Sequence, residues 1–238
     1  KSCTHYIYML FDLPFVSVCT PTYNRRKHFH TIIECFKHQD YPKQLMEWII
    51  IDDGSDKIED LIVDIPQVSY HRYENKMKLG EKRNIMHEKT KGDIIIYMDD
   101  DDYYPPERVS HAVSYLNDKP NILCAGSSKL YIYFKDIKKI YSFGPYFENH
   151  ATASTFAFKK ELLKITKYNS KDISGEEKYF LKNYTIPLLQ LNPFKTTLLI
   201  SHDSNTVDKK NIIMYGKLSK KNINVFIKNQ NIIDLIDN

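Results

Sequence analysis

"DIIIYMDDDDYYPPER", Asp93 to Arg108, decides how this chain is read. Its opening is a short apolar run of the kind that forms a buried strand. Four consecutive aspartates, Asp99 to Asp102, follow directly. Adjacent carboxylates about 6 Å apart repel by up to about 3 kcal/mol at an effective dielectric of roughly 20. Nothing in the neighbouring sequence offsets that repulsion. A strand that delivers such a cluster to a fixed place suits a hard divalent cation bound through oxygen. The spacing is not that of an EF-hand, because Tyr103 takes the fifth position and no Gly takes the sixth. Magnesium or manganese held by one or two carboxylates together with substrate phosphates fits better. The plainer alternative is a solvated loop, or helix first-turn acids favoured by the dipole.

Outward from this stretch, the first half of the chain alternates two periodicities. "FVSVCT" (Phe15 to Thr20) and "EWIII" (Glu47 to Ile51) read as further buried strands, and "VSYHRYE" from Val68 as a weaker one. Phe29, Ile32, Ile33 and Phe36 stand at helical spacing, and "Tyr41-Pro42" ends that helix. Glu81 to Lys89 is helix-compatible and closed by Gly92; "PPERVSHAVSYL" predicts a helix with two prolines in its first turn. Strand–helix alternation with continuous apolar strands predicts a parallel sheet covered on both faces. Ligands of such sheets bind beyond the carboxyl ends of the strands. All three polar clusters, "TPTYNR", "DDGSD" and "DDDD", fall at those ends, so three separate motifs are expected to share one crevice.

The last third differs. "LYIYF" and "KIYSF" predict a hairpin, "TIPLLQL" and "KTTLLIS" further strands, and "GEEKYFLK" a helix before them. The C-terminal "SKKNINVFIKNQNIIDLIDN" is compatible with a helix of poor periodicity. No Gly/Ser/Pro-rich linker divides the chain, so it reads as a single domain.

Composition bounds the classes. The 238 residues are 42% hydrophobic and 27% charged, an ordinary globular balance, and a net charge of +4 is no nucleic-acid footprint. No apolar run reaches the roughly 20 residues of a membrane span. The four cysteines (Cys3, Cys19, Cys35, Cys124) lack CxxC spacing and read as reduced core thiols, which suits a cytoplasmic protein. Usage rich in Lys, Ile, Asn and Tyr points to an AT-rich genome. The first residue is Lys rather than Met, as in a piece of a longer protein.

Several residues carry candidate chemistry. An Asp at the end of "IIIDDGSD" is placed to accept hydrogen bonds from a nucleobase or ribose; alone, an ordinary Asp-Gly turn explains it. "LGEKRN" puts Lys82 and Arg83 near a helix start, where cations meet a diphosphate, or merely water. Glu176 and Glu177 in "SGEEKYF" are candidate general bases, or simple first-turn acids. His202 in "LLISHDSNT" ends an apolar run, as a structural histidine or as the imidazole completing an oxygen-rich metal site.

Together, "VSVCTPTYNR", "IIIDDGS", "KGDIIIYMDDDDYYPPER", "SGEEKYFLK" and "SHDSNT" resemble the family 2 glycosyltransferases of GT-A fold, in order and spacing, from Val16 to His202. The resemblance implies a Rossmann-like, mostly parallel central sheet with helices on both faces and a smaller acceptor-side β/α portion. Residues 1–120 would form the nucleotide-sugar-binding half and 121–238 the acceptor-side half. It further implies an inverting, Mn2+- or Mg2+-dependent transfer from a nucleotide sugar, most simply a UDP-sugar, to a glycan or protein acceptor. Thr20 and Tyr23 would line the nucleotide pocket and Asp53 would hold the base. Lys82 and Arg83 would neutralise the diphosphate. Asp99 and Asp101 would form the DxD pair, with Asp99 or Asp100 on the ribose and Asp101 and His202 on the metal. The family's base is usually an Asp after Glu. Here both positions are Glu, so Glu177 and Glu176 stay open as the base, and a non-catalytic sugar-nucleotide- or glycan-binding module of this fold remains a rival. A nucleotidyltransferase would carry a Gly-rich loop after the first strand, and "TPTYNRRKH" has no Gly there. A calcium-binding structural protein would need a second acidic loop. "YFENHATAST" is placed to line the acceptor site.

Overall fold

The computed structural model describes residues 13–171, 175–203, 205 and 209–237. Cys3 lies outside them.

The first four strands are β1 (Val16–Thr22), β2 (Met46–Asp52), β3 (Val68–Arg72) and β4 (Ile94–Tyr97). With β5 (Cys124–Gly126), β8 (Ala157–Lys159) and β9 (Leu188–Gln190) they form a seven-stranded sheet in the order β3-β2-β1-β4-β8-β5-β9. Pairs β3/β2, β2/β1, β1/β4 and β5/β9 run parallel, while β8 lies antiparallel between β4 and β5. Helices α1 (Arg26–Lys37), α2 (Leu79–Lys89) and α3 (Arg108–Asp118) connect the first strands across the two faces.

Both faces are buried, which is why β2 reads as a continuous apolar run. Trp48 and Ile50 enter one core beside Phe29, Phe36 and Ile32, with Trp48 stacked on Phe36 at 4.5 Å between ring centroids. Ile49 and Ile51 enter the opposite core with Tyr97, Phe156, Phe158, Tyr168 and Phe180. Pro21 is tolerated in a central strand because pairing of β1 with β4 stops at Cys19–Tyr97, leaving that side of Pro21 without a ladder partner. At the amino ends of the strands, Ser17 Oγ donates to Glu47 at 2.6 Å and accepts from Gly92 N at 2.8 Å. A Cβ on Gly92 would lie 2.5 Å from Ser17 N, so only glycine fits.

The expected hairpin is β6 (Leu130–Phe134) with β7 (Lys139–Phe143), joined by β10 (Leu199–Ser201) and β11 (Lys217–Leu218) into a second sheet in the order β10-β6-β7-β11. The helix expected over "GEEKYFLK" is only α4 (Glu177–Phe180). Of the C-terminal stretch, α5 (Gln230–Asp237) is helical, burying Ile232, Ile233 and Ile236.

Two expectations need correcting. The prolines do not occupy the first turn of α3. That helix begins at Arg108, because the Pro105 and Pro106 carbonyls accept from Gln39 Nε2 at 2.9 Å and Asp40 N at 3.0 Å. Gly92 does not close α2 either, since Thr90 is the C-cap. Cys19, Cys35 and Cys124 are free, buried thiols. No helix among the described residues is long and apolar enough to cross a membrane.

Candidate active site

The carboxyl ends of β1, β2 and β4 meet at a cleft of about 410 Å³, lined among others by Thr22, Tyr23, Arg25, Lys76, Lys82, Arg83, Asp99, Asp100 and Asp101. Asn24 ties the first two tips together. It is left-handed at φ 53°, and its Oδ1 accepts from Ser55 N at 2.7 Å and Asp56 N at 3.0 Å. The approach is so close that a Cβ on Gly54 would lie 2.5 Å from Asn24 N. Asp52 is spent on the turn, accepting from Gly54 N at 2.9 Å and Tyr70 Oη at 2.7 Å. Asp53 lies just behind the cleft wall, where it accepts from Met77 N at 2.6 Å and forms a buried ion pair with Lys82. The Lys82 ammonium also donates to the Thr22 carbonyl at 3.0 Å. Burial lowers the Lys82 pKa, and Asp53 opposes that shift. Tyr23 offers an aromatic face with Lys76 Nζ 4.2 Å from its ring centroid. Thr20 is elsewhere. It is fully buried, donating to the Met98 carbonyl at 2.6 Å and accepting from Trp48 Nε1 at 2.8 Å, so the wall falls to Thr22 and Tyr23.

The four aspartates take four different environments, and distant cations supply what the local sequence lacked. Asp99 faces Arg83 Nη2 at 3.4 Å. Asp100 is buried with Oδ2 lacking a partner among the described residues, and burial, then Asp101, hold its carboxyl well above the usual range. Asp101 Oδ2 meets His202 Nε2 at 3.2 Å, Asn205 Nδ2 at 3.2 Å and Arg25 Nη2 at 3.8 Å. Burial would raise the Asp101 pKa, but His202, Lys209 and Arg25 overcome it and hold the carboxyl low. Asp102 is an anchor. It accepts from Ile200 N at 2.9 Å and Lys209 Nζ at 3.2 Å, fastening β10 so that His202, just past its end, reaches Asp101. Behind His202, His28 of α1 stacks at 4.0 Å between centroids, and burial followed by His202 pushes its pKa down to about 3.

A cation fits the donors present. Among the described residues no three His, Cys, Asp or Glu side chains gather to hold a metal by themselves. Asp101 and His202 are instead a two-ligand set of one hard oxygen and one imidazole, suited to an ion completed by substrate oxygens and water. The unpartnered Asp100 oxygen next to them adds acceptor capacity.

Arg83 joins this cluster to the second half of the chain. Its Nε donates to Glu176 Oε1 at 2.9 Å, its guanidinium lies 4.4 Å from the Tyr97 ring centroid, and it is almost fully buried. Glu176, 3% exposed, is thereby engaged as a counter-ion. Glu177, the first residue of α4, is half-buried and in no ion pair among the described residues; burial, then repulsion from Glu176, raise its pKa above the usual 4.5. Of the site residues named from the sequence, Tyr23, Lys82, Arg83, Asp99, Asp100 and Asp101 line this cleft; Asp53, Glu176 and His202 stand one contact behind it, on Lys82, Arg83 and Asp101; Glu177 follows Glu176 in the chain, and Thr20 is apart. Thr22, Arg25, Lys76, Asp102, Asn205, Lys209 and His28 are the members that sequence reasoning missed. Arg25 and Asn205 stood inside "TPTYNR" and "SHDSNT", whereas nothing in the sequence signals Asp102's anchoring or His28's stacking.

Such a crevice, with acids where the strand order of a Rossmann-like sheet reverses, is where an α/β fold of this kind binds its ligand. The model of glycosyl transferase family 2 matches residues 17–184, and the chain belongs to that family. It is similar to the poly(ribitol-phosphate) beta-N-acetylglucosaminyltransferase TarS of Staphylococcus aureus, 27% identical over 114 residues that cover 43% of this chain and 19% of that protein. It is also similar to an uncharacterized glycosyltransferase of Haemophilus influenzae, 29% identical over 109 residues, covering 45% of this chain and 36% of that one. The chain thus spans well under half the length of these curated relatives. Among solved structures, the mannosyltransferase PcManGT from Pyrobaculum calidifontis with GDP-Man and Mn2+ superimposes with a TM-score of 0.64 at 16% identity, covering 81% of this chain and 59% of that one. TarS 1-349 with UDP-GlcNAc does so with 0.61 at 20%, covering 80% and 59%. These likenesses carry the fold alone, the GT-A fold.

Proposed function

We propose that this chain is an inverting, metal-assisted glycosyltransferase using a UDP-sugar, with Glu177 as general base. The observation that carries the reading is that Arg83 on the cleft wall pairs with both Asp99 and Glu176, the chain neighbour of Glu177, while Asp101 of the same tip meets His202. Tyr23 gives the nucleobase an aromatic face, and Asp53 with Lys82 forms the polar floor beneath it. Arg25 and Lys76 line the cleft as cations for the diphosphate. Asp101 and His202 would hold the cation, Mn2+ or Mg2+, which when bound would withdraw negative charge from the departing diphosphate. TarS with UDP-GlcNAc and PcManGT with GDP-Man and Mn2+ support a nucleotide-sugar donor.

The acceptor hydroxyl oxygen attacks the anomeric carbon from the face opposite the diphosphate. A carbon–oxygen bond forms as the bond to the phosphate oxygen breaks, and its electron pair leaves with the diphosphate. The hydroxyl proton passes to Glu177. A carboxylate suits that role when its pKa is raised toward working pH, and Glu177 is the raised member of the pair while Glu176 is committed to Arg83. The acceptor is a glycan or a protein.

Thermal denaturation with UDP and UDP-sugars, with and without Mn2+, tests the reading through linkage. The midpoint rises in UDP with Mn2+, and the increment from Mn2+ disappears in Asp101→Ala, together with donor hydrolysis. Undiminished hydrolysis in that variant or in excess chelator would refute the assignment. Tight UDP-sugar binding without hydrolysis or transfer would instead identify the non-catalytic module.

A further inference from the structure

Beyond the donor cleft, the chain exposes a compact shelf of four rings. Tyr146 lies 4.8 Å and Phe147 5.1 Å from His150, while Tyr184 lies 4.9 Å from Phe147 and 5.3 Å from His150, centroid to centroid. Tyr146 is 55% and Phe147 53% exposed, an unusual cost for rings that touch neighbours on their other side. The loop that carries them is pinned, since Gln190 Nε2 donates to the carbonyls of Glu148 at 2.7 Å and His150 at 2.9 Å.

Tyr184 reaches this shelf by a strained path. Lys182, Asn183 and Tyr184 are three successive non-glycine residues in the left-handed region, at φ 50°, 55° and 63°. Such a run is unfavourable for L-residues and persists only where the surroundings over-determine it, most often at functional sites. The run follows α4 directly: Leu181 N donates to the Glu177 carbonyl and Asn183 N to the Lys178 carbonyl, both at 2.8 Å. The shelf is therefore fastened to the turn that bears Glu177, close enough for Glu177, after burial, to raise the Tyr184 phenol's pKa.

We propose that Tyr146, Phe147, His150 and Tyr184 form the acceptor subsite and that its occupant is a pyranose ring of a glycan. This rests on the glycosyltransferase reading with Glu177 as base. A sugar ring has an apolar C–H face and a polar hydroxyl rim. The shelf matches both, because Tyr146 and Phe147 leave more than half of their surface open while three of the four rings carry a polar atom. His150 Nδ1 is buried without a partner among the described residues, a polar atom beneath the exposed rings that the described chain leaves unsatisfied, and burial keeps that imidazole's pKa low. A protein partner would need a contact of about 800 Å² on this side, far wider than four rings.

The test is saturation-transfer NMR on the full chain with UDP and Mn2+ present, using chitotriose, cellotriose, maltotriose and mannotriose as probes. At least one of them receives saturation on its ring C–H protons. Its dissociation constant rises about tenfold in the Phe147→Ala/Tyr184→Ala double variant. Tyr146→Ala, a change at an exposed ring that leaves the strained turn untouched, weakens it as well should the double variant fail to fold. Tyr215→Ala, at a ring 79% exposed in another region, leaves it unchanged. Silence from all four probes, or equal affinity in the folded shelf variants, overturns the proposal. The UDP–Mn2+ thermal shift measured on the same samples separates the two readings. If it persists in wild type while the saccharide signal is absent, the shelf alone has failed. If it is absent too, the donor assignment has failed.

Discussion

The two halves of the molecule solve opposite problems. Around β1 to β4, the first half is built from strands of seven, seven, five and four residues, and the charges at its cleft are buried and paired: Lys82 on Asp53, Arg83 between Asp99 and Glu176, His202 on Asp101. In the second half, β5, β8, β9 and β10 have three residues each, and Tyr146 and Phe147 stand more than half exposed. Charges taken out of water must be matched, because an unpaired buried ion costs several kcal/mol. Exposed rings carry no such demand. A preassembled ionic frame on one side and an open aromatic surface on the other is the division expected where one substrate is highly charged and the other is not.

This contrast can be broken or sharpened by experiment. The largest effect is expected at the junction of the halves. Glu177→Gln should lower transfer kcat by about 10²–10⁴ while leaving UDP-sugar affinity, measured calorimetrically, within about twofold. Wild-type turnover in that variant would move the base elsewhere. Arg83→Ala should come next. It strands Asp99 and Glu176 and removes the stacking on Tyr97, so urea denaturation should report a loss of about 3–5 kcal/mol. A loss below about 1 kcal/mol would mean the frame is not held by its ion pairs.

The smallest effect concerns pH. His87 is buried against Tyr97 Oη at 2.5 Å, and burial, then Arg83, push its pKa down to about 3 from 6.5. Below pH 6.5 the unfolded chain takes up a proton that the folded chain refuses. The stability from this group is therefore complete above that pH and is lost as pH falls toward 3. His87→Phe should flatten the stability–pH slope between those limits by about 1.4 kcal/mol per pH unit, with His28 still titrating in both proteins. An unchanged slope would show that His87 is protonated in the native state.

Legibility followed the same divide. Strands β1, β2 and β4 were visible because burial on both faces requires continuous apolar runs such as "EWIII" and "DIIIYM". Strands β5 and β8 were not, since three residues such as Cys124–Gly126 or Ala157–Lys159 hold no period to detect. Within the site, Thr20 and Thr22 are indistinguishable as letters. Both point to the same face of β1, but Thr20 lies inside the sheet beside Trp48 while Thr22 ends the strand on the cleft wall. Asp101 and Asp102 are equally alike in sequence, yet one meets His202 and the other clamps Ile200 N. The expectation that both prolines enter helix α3 failed for a tertiary reason, because Gln39 and Asp40 claim their carbonyls.

What the amino-acid order by itself determined is the alternation of buried strands and helices and the placing of three polar tips at strand ends. Local periodicity and hydrophobicity suffice for that, because they act over a few residues. Only the tertiary structure decided which carboxylate faces which cation, since Arg25, Arg83, Lys209 and His202 arrive from separate segments and Coulomb energy depends on distance in space, not along the chain.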